Sequence, residues 1–288
     1  MSASDAGPTG ATTLVGVVGW PVDHSLSPAM HNAAFRAMEL DWIYVALPVS
    51  PGRLPAALDG LAALGFAGAN VTMPHKTESA ALVGELSDDA RRLQALNTVV
   101  VTPDGLAGHN TDAPGFERFL RDDASFDPAG RRVLLYGAGG AARACALALA
   151  RAGAAEIVVA VRSPARAFPL VQALDDLPVK VRTATSLADA ADVSADLIVN
   201  ATPVGAHGEE LPEPAMGPDT VVVDLLYHVA STPLRVHARE AGARSFGGLG
   251  LLLHQAALSH ELWTGRQPPL EAMSAAAVAA LGGEATLR

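Results

Sequence analysis

Short β-branched apolar runs alternate with Ala- and Leu-rich stretches of helical spacing along the chain. The run at 13–19 reads as a first strand. A helix is expected over 28–40, where Met30, Ala33, Ala34, Ala37 and Met38 gather on one face. Ser27 is expected to cap it, with Pro28 at the first helical position. Further strands are expected at 42–49, 68–73 and 97–102, and helices at 51–64, 75–83 and 87–96, the last opening on the acidic pair Asp88 and Asp89. Asp104-Gly105 is a turn signal, and another helix is expected at about 114–121. The polar, turn-rich segment 122–130 reads as a connector between two halves. Beyond it, strands are expected at 131–136, 156–161, 179–182, 196–201, 220–226 and 243–246, followed by Ala/Leu-rich helices at 249–263 and 270–281. This alternation predicts an α/β fold with mainly parallel sheet.

Composition narrows the classes. Half of the 288 residues are hydrophobic and 17% are charged, which suits a buried core and excludes wholesale disorder. Aromatics make up only 5%, so Ala, Val and Leu must build that core. A net charge of −10 without a basic run argues against a nucleic-acid partner, yet leaves local Arg and Lys able to hold a small anion. The single cysteine, Cys145, excludes a disulfide within the chain and suits a reducing compartment. In its Ala/Leu-rich run it reads as a small buried hydrophobe. Residues 1–12 lack the regions of a signal peptide and read as a disordered tail. No apolar run approaches the roughly 18 residues of a membrane span. A soluble, cytoplasmic protein without a membrane partner is expected. His24, His31, His75 and His109 show no metal-ligand spacing, so no metal is expected.

Gly137-x-Gly139-x-x-Ala142 follows an apolar strand, opens a helix and precedes the next strand at βαβ distance. Gly137 allows the tight turn, Gly139 the approach of a pyrophosphate, and Ala142 close helix–strand packing. The free N–H groups of the helix start then face the phosphates. Where an NAD site carries a carboxylate at the end of its second strand, this chain has Arg162, Ser163 and Arg166. Guanidinium groups and a hydroxyl suit a 2′-phosphate, so NADP is expected over NAD.

The first half offers a different chemistry. The chain has two lysines, Lys76 and Lys180, against eighteen arginines. Lys76 ends the run Gly68-Ala69-Asn70-Val71-Thr72-Met73-Pro74-His75-Lys76, where a strand is expected to give way to a helix. Arg stays protonated in proteins, whereas a desolvated Lys can release its proton. Lys76 is therefore a candidate acid–base, although a solvated lysine at a helix start is the plainer reading. Ser25 and Ser27 flank a turn before a helix, a plausible carboxylate cradle. Asn97 with Thr98 opens a strand and could reach a ligand. Asp112 sits in a Gly/His/Asn/Thr loop, where an Asp more often serves a turn.

Taken together, the motifs resemble the shikimate dehydrogenase family, including its quinate/shikimate relatives. They occur in one order from Val15 to about Trp263: Gly19-x-Pro21-x-x-His24-Ser25-x-Ser27-Pro28, Gly68-Ala69-Asn70-Val71-Thr72-x-Pro74-x-Lys76, Asn97-Thr98, Asn110-Thr111-Asp112, Gly137-Ala138-Gly139-Gly140-Ala141, Asn200-Ala201-Thr202, Asp224-x-x-Tyr227, and Gly248-Leu249-Gly250 through Gln255-Ala256. The resemblance implies NADP-dependent, reversible reduction of 3-dehydroshikimate to shikimate, on the route to chorismate and the aromatic amino acids. It implies that Lys76 is catalytic with Asp112 as its partner carboxylate. Ser25, Ser27 and Tyr227 would hold the substrate carboxylate. Asn70, Thr72, Asn97, Asp112 and Gln255 would surround the ring hydroxyls. Gly137, Ala138, Gly139, Gly140, Ala141, Arg162, Ser163, Arg166, Thr202 and Gly248 would bind the cofactor.

Two domains with a cleft between them are expected. The first is a mainly parallel α/β substrate domain, residues 1–112 with 250–288. The second is a Rossmann-like NADP domain, residues 113–249. A monomer or homodimer is expected. Ala113-Pro114, Val161, Ala206 and Leu251 depart from the family pattern and leave room for quinate or an amino-substituted substrate, or for NAD. A silent ligand sensor on the same fold is the reading of another class. It predicts loss of Lys76 or Asp112, and both are present.

Overall fold

The computed structural model describes residues 7–184 and 186–282. They divide into two compact units. One runs up to Thr111 and resumes at Gln255; the other is Asp112–His254.

In the first unit, β1 (Thr13–Gly19) pairs in parallel with β2 (Trp42–Pro48) and β3 (Phe66–Val71). The near-continuous apolar run of β1 is explained by burial on both faces. Val15 and Val17 join Phe35 and Tyr44 on one face. Val18 joins Leu54, Leu58 and Leu61 on the other. Those leucines come from α2 (Leu54–Ala63), while Phe35 lies on α1 (Ser27–Ala37). The sheet then reverses: β5 (Thr98–Thr102) lies antiparallel to β3 and forms a hairpin with β6 (Gly105–His109), beside which the two-residue β4 (Glu85–Leu86) adds in parallel. The strand order is β2-β1-β3-β5-β6-β4. β6 and β4 escape the sequence pattern because Gly105, Gly108 and a two-residue strand offer no alternation of apolar and polar positions. Helix α3 (Asp88–Leu93) is capped by Ser87, whose Oγ accepts the Ala90 N–H.

The second unit holds β7 (Arg132–Tyr136), β8 (Glu156–Ala160), β9 (Lys180–Thr183), β10 (Leu197–Asn200), β11 (Val221–Asp224) and β12 (Arg244–Gly247), ordered β12-β11-β10-β7-β8-β9 with every pairing parallel. This is the Rossmann order, and strand order reverses between β7 and β10. Helix α4 (Asp112–Asp122) packs on α5 (Gly140–Arg151). The segment 122–130 therefore joins two elements of one unit and does not separate the halves. Helix α6 (Phe168–Gln172) is short, and α7 (Pro233–Glu240) covers the sheet through Leu234 and Ala238. Lys180, the second lysine, has a structural role: its Nζ lies 3.1 Å from buried Glu156, which also meets Arg132 at 2.6 Å. Burial alone would raise the Glu156 carboxyl, but Lys180 and Arg132 outweigh it and hold it below its usual range.

Helix α8 (Leu249–Thr264) contains the second crossing between units, at His254/Gln255, and α9 (Leu270–Ala280) packs on α1. No helix among the described residues is long and apolar enough to cross a membrane. The tail expected at the N-terminus lies outside the described residues for 1–6. Residues 9–12 instead form a turn, and Thr12 Oγ1 donates to Asp41 at 2.7 Å.

Two imidazoles are sealed in the first unit. His31 stacks on Tyr44 with centroids 4.4 Å apart and lies 6.0 Å from His260. Among the described residues, neither ring nitrogen of either histidine has a hydrogen-bond partner. Burial pushes His31 well below its usual range, helped by His260, and lowers His260 to about 4, helped by Arg266. The unfolded chain then binds more protons than the folded one below the ordinary histidine pKa near 6.5, so this contribution is intact above that value and is lost as pH falls toward 4. In urea titrations, His31→Phe/His260→Phe should lose less stability than the parent between those two pH values; parallel acid limbs would refute the assignment.

Candidate active site

The loop after β3 is held at several points. The Thr72 N–H donates to Val18 O and the His75 N–H to Thr72 O, each at 2.9 Å. His75 is buried and its Nε2 lies 2.6 Å from Val49 O, a contact that requires Nε2 to carry the proton. A single 3-10 turn, Glu78–Ala81, follows. Lys76 is thus half-buried on a turn, not at the start of a helix, because Ser79 Oγ and N–H both bond back to His75 O and close the chain locally. The Lys76 carbonyl accepts the Leu96 N–H at 2.9 Å, one residue before Asn97.

Beside this loop runs a buried network. Asn70 Oδ1 accepts from Tyr44 Oη at 2.8 Å, and its Nδ2 donates to Asn97 O, Thr98 Oγ1 and Ser259 Oγ at 3.0, 3.1 and 2.9 Å. Asn97 Nδ2 donates to Thr111 Oγ1 at 2.8 Å and to Gln255 Oε1 at 3.2 Å. Asn97 Oδ1 accepts the Thr111 N–H at 2.8 Å. Asn70, Asn97 and Gln255 are thereby brought together, with Tyr44, Thr111 and Ser259 as partners the sequence reading did not single out. Burial holds the Tyr44 phenol above its usual range.

Ser27 does not cap α1. It is the first residue of the helix, with Leu26 before it and no side-chain cap. Its N–H donates to Ser25 Oγ at 3.3 Å, so the two serines sit together.

The remaining residues belong to the second unit. Asp112 is buried in the first turn of α4, not in a loop, where a carboxylate suits the helix N-terminus. Gly137 has φ +105, and a Cβ there would approach Ala201 O to 3.0 Å and Thr202 Cγ2 to 3.1 Å, so β7 and β10 close together at the point of strand reversal. A Cβ on Gly139 would meet nothing within 4 Å, and α5 starts at Gly140 with no side-chain cap. Open space in front of uncapped N–H groups, which Ala138, Gly140 and Ala141 flank, fits a pyrophosphate. Arg162, Ser163 and Arg166 are exposed just beyond β8, as a 2′-phosphate requires. Gly248 allows no side chain, since a Cβ would collide with the Leu225 carbonyl.

Thr202 and Tyr227 leave the ends of β10 and β11, and one cluster organises both. Asn200 Oδ1 accepts from Thr202 N and Oγ1, while its Nδ2 donates to Asp224 Oδ1 at 3.0 Å. Asp224 also accepts from Leu226 N and Thr232 Oγ1. Burial raises the Asp224 carboxyl even against these bonds, and it raises the Tyr227 phenol too. Among the described residues no group of three or more His, Cys, Asp or Glu could hold a metal.

A Rossmann sheet with an open glycine loop, joined in one chain to an α/β unit with a lysine turn and a buried amide network, defines the class of two-unit dinucleotide-binding proteins. Family profiles agree: residues 17–99 match the shikimate dehydrogenase substrate binding domain, 122–207 match shikimate / quinate 5-dehydrogenase, and 248–278 match the shikimate 5'-dehydrogenase C-terminal domain. The chain is 44% identical over 281 residues to the shikimate dehydrogenase (NADP(+)) of Geobacter metallireducens, covering 95% of this chain and 98% of that one. The crystal structure of shikimate 5-dehydrogenase from Thermus thermophilus in complex with NADP(H) and shikimate is 37% identical, with TM-score 0.83 over 93% of this chain and 100% of that one. Quinate dehydrogenase from Corynebacterium glutamicum in complex with NAD is 32% identical, with TM-score 0.83 over 93% and 99%. The chain belongs to the shikimate dehydrogenase family.

Asp224→Asn keeps one acceptor oxygen for Asn200 and Leu226 but sets an N–H₂ against the Thr232 hydroxyl that now donates to Oδ2, and should destabilise the protein by about 1–3 kcal/mol in chemical denaturation. An unchanged midpoint would remove Asp224 as the organiser of these strand ends.

Proposed function

We propose that this chain catalyses the reversible, NADP-dependent reduction of 3-dehydroshikimate to shikimate, a step toward chorismate and the aromatic amino acids. The observation that carries this is near-full-length identity of 44% to an NADP-type shikimate dehydrogenase. The open glycine loop and the exposed Arg162 and Arg166 support the same cofactor. One buried cysteine is in keeping with a reducing, cytoplasmic setting.

Bound NADPH supplies the hydride. The protein's part is orientation and proton transfer. As the ketone carbon is reduced, negative charge builds on its oxygen. Lys76, as an ammonium on a braced turn, stabilises that charge and delivers the proton that completes the alcohol; in the oxidative direction its amine takes the proton back. Asp112 is the assisting carboxylate. Ser25, Ser27 and Tyr227 take the substrate carboxylate, and Asn70, Thr72, Asn97 and Gln255, with Asp112, the ring hydroxyls. Gly137 to Ala141, Thr202 and Gly248 line the cofactor, while Arg162, Ser163 and Arg166 take its 2′-phosphate.

Purified protein with shikimate or quinate, against NADP or NAD, tests the reading by absorbance of the reduced cofactor. Shikimate with NADP should turn over fastest; quinate with NAD ahead of it would move the protein to its quinate relatives, and no turnover with any pair would end the enzyme reading. Lys76→Ala should lower kcat by roughly 10²–10⁴-fold, the range of a positioned acid–base; near-normal kcat would remove its role. Arg162→Ala should raise KM for NADP far more than for NAD, and equal effects would remove the phosphate assignment.

A further inference from the structure

Donors and acceptors in the first unit's network can be assigned from groups that have no choice. The Thr111 main-chain N–H can only donate, and it faces Asn97 Oδ1 at 2.8 Å. Asn97 must therefore turn Nδ2 to its other side, where it meets Thr111 Oγ1 at 2.8 Å and Gln255 at 3.2 Å. Nδ2 can only donate, so Gln255 must present Oε1 to it. The Gln255 Nε2, its donor, then lies on the other branch of the amide. A flipped Asn97 would set an N–H₂ against an N–H, so this polarity does not depend on how the amides are drawn.

The hydroxyls agree with this polarity. Thr111 Oγ1, having accepted from Asn97, can give its proton to Ser259 Oγ at 3.2 Å, and Ser259 donates to the Gln255 carbonyl at 3.1 Å. The chain of bonds returns to the helix turn that carries Gln255. Thr111, Asn97, Gln255 and Ser259 are all buried, where a reversed bond would leave a polar group unsatisfied.

We infer that Thr111 is a positioning residue: through Asn97 it presents Gln255 to the substrate as a hydrogen-bond donor. The substrate atom met by Gln255 is then an acceptor, a keto oxygen or a hydroxyl lone pair. This rests on the reading of Gln255 as a ring-hydroxyl group.

Steady-state kinetics with shikimate and NADP test it. Thr111→Val keeps the shape and the main-chain N–H that orients Asn97, but removes the hydroxyl that anchors Asn97 Nδ2 where it holds Gln255; it should raise KM for shikimate roughly 5–30-fold, the loss of one or two buried bonds, with KM for NADP unchanged. Thr111→Ser restores the hydroxyl and should return KM to within about twofold of the parent. Combined with Gln255→Ala, Thr111→Val should add no further loss, because the two act along one path. Gln255→Glu checks the polarity even if Thr111→Val does not fold. The carboxylate still accepts from Asn97 but has no donor, so its shikimate KM should be high at alkaline pH and recover relative to the parent as the pH falls and the carboxyl regains a proton.

If Gln255→Ala leaves the shikimate KM unchanged, the substrate role of Gln255 fails and the inference with it. If Gln255→Ala raises KM but Thr111→Val does not, or if the two losses add, only the inference fails. A Gln255→Glu variant without recovery at low pH overturns the donor assignment.

Discussion

A buried amide must have its hydrogen bonds satisfied, and much of the first unit follows from doing so for Asn97. Its side chain meets Thr111, the last residue before the chain crosses into the other unit, and Gln255, the first after it returns. Its main chain joins the same scheme: the carbonyl accepts from Val71 N and the N–H donates to His109 O. One residue thus fixes the end of β3, the end of the β5–β6 hairpin and the middle of α8. Removing a partner would strand donors or acceptors at a place water does not reach.

The second unit solves a different problem with a different device. An all-parallel sheet ends its strands in loops at one edge, and strand reversal between β7 and β10 parts those loops. Gly137 allows the close approach of Ala201, while Asn200 and Asp224 hold the loops that carry Thr202 and Tyr227. Candidate ligand groups here are mostly exposed or half-buried side chains on rigid strand ends. In the first unit they include three buried amides, Asn70, Asn97 and Gln255, held in one hydrogen-bonded network.

The parts legible beforehand were the local ones. Gly137-x-Gly139-x-x-Ala142 announces its turn because the requirement for glycine arises within a few residues of chain. The central strands of the second unit, β7, β8, β10 and β11, were legible as apolar runs because both faces are covered. The start of α3 was legible from Asp88 and Asp89, whose carboxylates suit the first turn in which they stand. Ser27 before Pro28 carries the local signal of a cap, yet in the fold it lies inside α1 as its first residue and makes no side-chain cap. The helix expected after Lys76 was misread because bonds of Thr72 and His75 to Val18 and Val49 set that turn, overriding local helical preference.

What the sequence determined by itself is the α/β class, the Rossmann loop, the arginines suited to a 2′-phosphate, and the family, because each rests on short-range spacing or on an ordered set of motifs. Only the tertiary structure decided that β5 runs against β3, that Asp112 opens a helix, and that Tyr44, Thr111 and Ser259 stand behind the amides. Ser259 meets Asn70 across 189 positions of chain. No local pattern encodes such a bond, because a buried donor is satisfied by whichever acceptor the fold brings to it.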